Sequence, residues 1–172
     1  MRSISFNPAM LAAVRAGRKT ATRRRLPIAG PLQQEPGRYR FMGLSAQGAL
    51  FEDTRAQSSA LLPPVPLPFG PPGTQLFIQE APEIYLAITS VRAEQVRNLT
   101  EAGAIAEGIG HRATGRLRWG GVAANAARPG AFRWYRRPTE AFRGLLDSIY
   151  PTAWARNEWV WVIEFAVLPA AA

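Results

Sequence analysis

Two threonines sit inside the most cationic short stretch of the chain. Gly17-Arg18-Lys19-Thr20-Ala21-Thr22-Arg23-Arg24-Arg25 places five basic residues and two hydroxyls within nine positions, directly after a short helix that ends at Gly17. A charge run of this kind, taken alone, reads as a solvated loop. It is not a phosphate-binding P-loop, which needs a glycine five residues before a Gly-Lys-Thr triplet, and here Arg18 interrupts the triplet. Strand alternation would set Lys19 and Thr22 on opposite faces. A site that uses both therefore requires the backbone to turn or bulge just after Gly17.

The rest of the composition narrows the chemistry. The 172 residues suit a single domain spanning 1–172 with a core of its own. Lys and Arg number 21 against 12 acids, a formal charge of +9 that attracts polyanions. Cysteine is absent, so there is no disulfide framework and no thiolate nucleophile or metal site. His111 is the sole histidine, which argues against a Ser-His-Asp triad and against a zinc centre. We expect no metal and no cofactor. No segment reaches the roughly 18 apolar residues of a membrane span, and a soluble cytoplasmic protein is the expectation.

The elements that must position the basic segment follow in order. Ser3 to Phe6 suggests a short strand. Asn7 is a helix N-cap with Pro8 at the first helical position, and Met10, Leu11 and Val14 share a face up to Gly17. Residues 27–36 read as loop, and 38–44 with 49–53 as a hairpin. Six prolines between Leu61 and Gly73 make an irregular, polyproline-like stretch whose Pro-x-x-Pro pattern is more simply a rigid connection than a ligand for another protein. Strands are expected at 74–78 and 84–91. Thr100 caps a helix with Ile105 and Ile109 on its apolar side and Gly108 at its end. Glu107 falls in the last turn of that helix, where the dipole disfavours a carboxylate by up to about 1 kcal/mol, and by position alone it reads as a solvent-facing residue.

Residues 111–137 are glycine-rich and acid-free, with arginines 112, 116, 118, 128, 133, 136 and 137 among Trp119, Trp134 and Tyr135. Two readings stand side by side: a cation-and-aromatic surface for phosphates and bases, or a mobile insertion whose aromatics fold back on the core. Phe142, Leu145, Leu146 and Ile149 mark the best helix, over 138–150, stopped by Pro151. In the best strand, 157–167, Trp159, Trp161, Ile163 and Phe165 alternate with Val160 and Val162, so both faces are apolar and the strand is central. Five to six strands and three helices that do not alternate regularly predict an α+β mixed barrel.

These segments resemble the ASCH domain family, whose members adopt a PUA-like β-barrel. The resemblance rests on Phe6-Asn7-Pro8 followed by Gly17-x-Lys19-Thr20-x-Thr22-x-Arg24. It continues through Gly73 to Glu80, Leu99 to Ile109, and a closing block over 145–149 and 157–165 that is similar to phage and prophage members. Residues 27–69 and 111–137 would be insertions relative to the smallest members. The second block departs from the family's Leu-Trp-Val-Arg-Glu, reading Leu76-Phe77-Ile78-Gln79-Glu80 and losing a cation at Gln79.

Some small bacterial members are amidohydrolases that remove acetyl from N4-acetylcytidine with a Lys, a Thr three residues later and a Glu. The resemblance places these on Lys19, Thr22 and Glu107. It implies a Thr22 nucleophile, a Lys19 base whose pKa is lowered by burial and by the neighbouring arginines, and a Glu107 that shuttles a proton or orients substrate. Arg18, Arg23, Arg24 and Glu80, together with Arg116, Arg118, Trp119, Arg133, Trp134 and Arg136 of the basic segment, are the candidates for contacting a nucleoside or RNA. The alternatives are an RNA-binding module of the same fold without catalysis, or a ribonuclease.

Overall fold

The computed structural model describes residues 2–55, 57 and 60–169. Among them, eleven strands and five helices follow one another. These are β1 (Arg2–Ile4), α1 (Pro8–Arg15), β2 (Ala21–Arg25), α2 (Pro31–Gln34), β3 (Tyr39–Ser45), β4 (Gly48–Asp53), β5 (Ala60–Leu61), β6 (Gln75–Ile78) and β7 (Ala81–Gln95). There follow α3 (Glu101–Ala106), β8 (Gly110–His111), β9 (Trp119–Ala124), β10 (Phe132–Tyr135), α4 (Pro138–Ile149), α5 (Ala153–Arg156) and β11 (Trp159–Val167). The fold is mixed α+β, and no described helix is long and apolar enough to cross a membrane.

A five-stranded sheet in the order β1-β6-β7-β11-β2 carries the core; β1 runs parallel to β6 and the other pairs are antiparallel. As its two-sided apolar pattern predicts, β11 is internal: every residue from Trp159 to Ile163 is buried. Register shifts between Glu164 and Phe165 and between Phe77 and Ile78 bend the long β7 ladder, which curls the sheet. Phe51 of β4 meets Trp159 edge-on, with centroids 5.1 Å apart, and so fastens a second sheet, β3-β4-β5, to the first.

The strand and helix totals exceed the five to six and three expected from sequence. The described residues of 27–69 contribute α2 and the β3-β4-β5 sheet, and residues 111–137 a third sheet, β10-β9-β8, against which α4 packs. Residues 111–137 thus carry an ordered sheet, and two of their aromatics, Trp119 and Tyr135, do pack back against the core. β7 also runs further than the expected 84–91. Two apolar residues assigned to buried helix faces lie outside: Ile105 and Ile149 are largely exposed, and in α3 the small Ala104 is the buried residue.

The start of α1 matches its local signals. Asn7 Oδ1 accepts the Met10 amide at 2.8 Å, Pro8 occupies the first turn, and Gly17 follows the helix at φ +69°, a conformation glycine adopts without strain. Asn7→Ala removes the cap and is expected to cost about 1 kcal/mol, read as a lowered denaturant midpoint with unchanged slope.

Candidate active site

The three residues singled out by resemblance converge in one place. After Gly17 the chain doubles back over the end of α1, where the amides of Arg18 and Lys19 both donate to the Ala13 carbonyl, at 2.9 and 3.1 Å. Lys19 then forms a lone antiparallel bridge with Glu107, and the Thr20 amide donates to the Ala106 carbonyl at 2.9 Å. Only at Ala21 does regular pairing with β11 begin, with Thr22 opposite Ile163. This is the turn that the alternation argument required. Lys19 belongs to the approach and Thr22 to the strand, and both side chains line one cavity.

Glu107 is not the solvent-facing residue its position suggested. It is the C-cap of α3 and only 3% exposed. Its Oε2 accepts from Lys19 Nζ at 2.8 Å and its Oε1 from Arg23 Nη1 at 3.2 Å. Two cations in a poorly solvated interior outweigh the helix-end penalty, because attraction between charges grows as the effective dielectric falls. Arg23 is itself anchored on Glu94, at 2.9 Å from Nε and 2.8 Å from Nη2. Close packing protects the arrangement. A Cβ on Gly103 would lie 2.9 Å from Arg23 Nη2, and one on Gly108 would lie 2.8 Å from the Ala13 Cβ.

Lys19 is 2% exposed, and its ammonium donates to the Ala21 carbonyl at 2.8 Å, the Glu107 carbonyl at 3.0 Å and the Glu107 carboxylate. Burial pulls its pKa below the ordinary lysine value; Glu107 opposes the shift, and Arg24 and Arg23 add to it. Thr22 is also buried, and no side-chain partner holds its hydroxyl among the described residues.

The cavity has a volume of about 300 Å³. One side is polar: Lys19, Thr22, Arg23, Arg24 and Glu107. The other is apolar: Phe6, Met10, Phe142, Leu145, Leu146, Ile149 and Tyr150. A flat heterocycle with polar edges fits such a division, since its faces want contact and its edges want hydrogen bonds. A larger cleft of about 610 Å³ lies between α4 and β10 and contains none of Lys19, Thr22 and Glu107. Among the described residues no three His, Asp or Glu side chains gather in a way that would hold a metal ion.

The other candidates separate. Arg24 lines the cavity, stacks over Phe6, donates from Nη2 to the Ser5 carbonyl at 2.5 Å, and its buried Nε has no acceptor among the described residues. Arg18 is exposed and donates to the Gly108 carbonyl at 3.1 Å, outside the cavity. Glu80 is also outside; it accepts from the Ser5 hydroxyl and, at 3.1 Å, from the Phe6 amide, and so steadies the segment that forms the cavity rim. The Ser5 bond, and then the Phe6 amide, hold its carboxyl below the usual range. Arg116, Arg118, Trp119, Arg133, Trp134 and Arg136 lie on or beside the β8–β10 sheet, and none lines the cavity.

Sequence reasoning missed the apolar wall from α4, because the spacing of Phe142, Leu145, Leu146 and Ile149 looks the same whether the stripe faces a core or a cavity. It also missed Glu94, for which no local signal exists in a long strand. Compared with known proteins, the chain matches no protein-family model, no curated protein and no solved structure.

Proposed function

We propose that this protein is an ASCH-type, PUA-like amidohydrolase that releases the acyl group from an N-acylated pyrimidine nucleoside of the N4-acetylcytidine kind. The observation that carries the reading is the buried Lys19–Glu107 pair beside the unpartnered Thr22 hydroxyl, in a cavity large enough for a nucleoside. Supporting it are the lowered pKa of Lys19 and the mixed polar and apolar walls.

The chemistry runs as acyl transfer followed by hydrolysis. In its neutral form Lys19 has two N–H bonds left to donate and one lone pair to offer. It takes the Thr22 proton as Thr22 Oγ attacks the acyl carbon. Arg24, with an Nε still lacking an acceptor, supplies a donor toward the acyl oxygen as negative charge develops there. The C–N bond breaks and the exocyclic nitrogen takes the proton back from Lys19, so cytidine leaves with a neutral amino group. Water gives a proton to the same amine and attacks the Thr22 ester; the amine returns that proton to Thr22 Oγ as the ester bond breaks, and the carboxylic acid released loses its own proton to solvent. Glu107 holds the Lys19 amine in place throughout. The heteroaromatic amine is a better leaving group than an alkylamine, so these groups suffice for a turnover on the chain's own residues.

The pH profile tests the reading. Protonated Lys19 cannot accept the Thr22 proton, so kcat/KM for cytidine release is expected to rise with pH through a single ionisation lying below the ordinary lysine value, and then to level off. Lys19→Arg stays protonated and is expected to lose both the activity and the rising limb. A profile flat from pH 6 to 10, with full activity in Lys19→Arg, would remove lysine from the role of base.

A further inference from the structure

The chain has 21 lysines and arginines, and 20 of them are arginine. The single lysine is Lys19, and it lies in the cavity beside Thr22. Arginine keeps its proton throughout the working range of a protein, whereas a buried lysine gives its proton up readily. The one basic side chain able to lose a proton in this way therefore stands where a base is wanted. What surrounds it decides whether it does so.

Arg23 is its neighbour, and the acyl-transfer steps above leave it unused. The Arg23 side chain is 2% exposed. Besides its bonds to Glu94, it donates from Nη1 to Glu107 Oε1 at 3.2 Å and to the Gly103 carbonyl at 3.3 Å, and its guanidinium lies 5.7 Å from the centre of the Phe142 ring. Charge continues to alternate beyond Glu94. Arg92, two residues back on β7, has Nε 3.7 Å from Glu94 Oε2 and donates from Nη1 to Glu164 of β11 at 2.6 Å. Lys19, Glu107, Arg23, Glu94, Arg92 and Glu164 thus form a row of alternating sign that starts in the cavity and ends at side chains 39% and 44% exposed. No proton travels along it, because arginine does not release one. Its effect on Lys19 is electrostatic.

The two oxygens of Glu107 are divided, Oε2 to Lys19 and Oε1 to Arg23. A carboxylate that faced Lys19 alone in this interior would favour the ammonium and keep its proton on. Arg23 draws on the other oxygen and sets a second positive charge beside the first. The charged groups that face Lys19 are Glu107 from the end of α3 and Arg23 and Arg24 from β2. The Ser5–Asn7 segment, α1 and α4 bring only neutral side chains to the cavity, and Arg18 turns to the Gly108 carbonyl outside it. Burial lowers the Lys19 pKa, Glu107 raises it, and Arg24 and Arg23 lower it, which fits this division.

We propose that Arg23 and Glu94 are positioning residues for the Lys19 amine: Arg23 takes one oxygen of Glu107, so that Glu107 fixes the amine in place without fixing a proton on it, and Glu94 holds Arg23 and offsets its charge. The consequence for turnover rests on the amidohydrolase reading; the consequence for the ionisation of Lys19 does not.

The test uses the lysine itself. Because Lys19 is the only one, protein labelled with carbon-13 and nitrogen-15 lysine gives a single Cε–Nζ side-chain signal, followed by NMR from pH 6 to 11 without substrate. The Lys19 midpoint is expected to rise in Arg23→Gln, where Glu107 turns wholly to the ammonium and one neighbouring cation is gone. It is expected to fall in Glu94→Gln, which keeps an oxygen for Arg23 Nε but leaves the guanidinium uncompensated. Ion pairs that served stability alone would move both midpoints upward, since either loss loosens the site and lets water reach the ammonium. Circular dichroism checks the folding of both variants. Should Arg23→Gln not fold, Glu94→Gln decides alone: a fall supports the proposal, and a rise or no change overturns it. In the cytidine-release assay the rising limb of kcat/KM is expected to move in the same two directions. At a fixed pH on that limb, Arg23→Gln then loses about threefold or more and Glu94→Gln gains. Midpoints that move together, or that do not move, would overturn the proposal. Opposite shifts with no cytidine released by the native protein would leave it standing and fell the amidohydrolase reading. Release by the native protein with unmoved midpoints would do the reverse.

Discussion

Thr22→Ala is expected to lower kcat for cytidine release from N4-acetylcytidine at least a hundredfold while leaving the affinity for cytidine, measured by calorimetry, within about threefold. Removing a nucleophile takes away a bond made only on the way to the transition state, so the loss falls on kcat and not on ground-state binding. The substitution is mild structurally. Thr22 lies in the middle of β2 opposite Ile163, and its hydroxyl has no side-chain partner to orphan. Thr22→Ser keeps the hydroxyl and is expected to retain a measurable fraction of the activity. A Thr22→Ala protein with native kcat would leave hydrolysis by directly activated water as the only route through this cavity.

The largest stability effect is expected at Glu107. Glu107→Ala leaves Lys19 buried with two carbonyl oxygens and no carboxylate partner, and Arg23 with the Glu94 carboxylate and the Gly103 carbonyl. Breaking a buried ion pair from one side typically costs about 3–5 kcal/mol, enough to consume much of the stability of a domain this size. Lys19→Met is expected to cost less, because Glu107 keeps Arg23. The pH dependence separates charge from packing. In the native state Lys19 gives up its proton at a lower pH than it does unfolded. Between those two values the unfolded chain binds the extra proton, and stability rises with pH. With Glu107 gone the native-state pKa drops further, so the deficit of Glu107→Ala against the native protein should narrow as pH rises toward 10. Denaturant midpoints measured at pH 6, 8 and 10 check this. A deficit that is constant across the range would assign the loss to packing.

The local parts of this site were legible before the fold was known. Asn7-Pro8 announced its helix, and Trp159 to Phe165 announced a buried strand, because both signals lie within a few residues of chain. The need for a turn after Gly17 also followed from strand period alone, and the structure supplies it through the bonds to Ala13. The meeting of Lys19 with Glu107 was not legible from period or propensity. It spans 88 positions and is created by a single bridge between two segments that are neither helix nor regular strand. Local dipole reasoning pointed Glu107 outward because it counts only the helix's own charge; the cations that reverse the balance come from β2 and its approach.

The β8–β10 sheet was missed for a related reason. The segment was read only as glycine-rich, yet Gly110 and Gly120 are what let β8 and β9 approach: the Gly110 Cβ position is 3.1 Å from the Gly120 carbonyl oxygen. Glycines that permit a close ladder and glycines that end one look alike in sequence. The same ambiguity hid the apolar cavity wall on α4, where a stripe spaced for a core turned partly toward a cavity and left Ile149 at its rim.

The most direct test of the central claim is a chromatographic assay of cytidine released from N4-acetylcytidine by the native protein, run beside Lys19→Ala, Thr22→Ala and Glu107→Ala, each first shown to be folded. The account predicts release by the native protein and a loss of at least a hundredfold in each variant. Absence of release from the folded native protein would contradict it, as would release that survives all three substitutions.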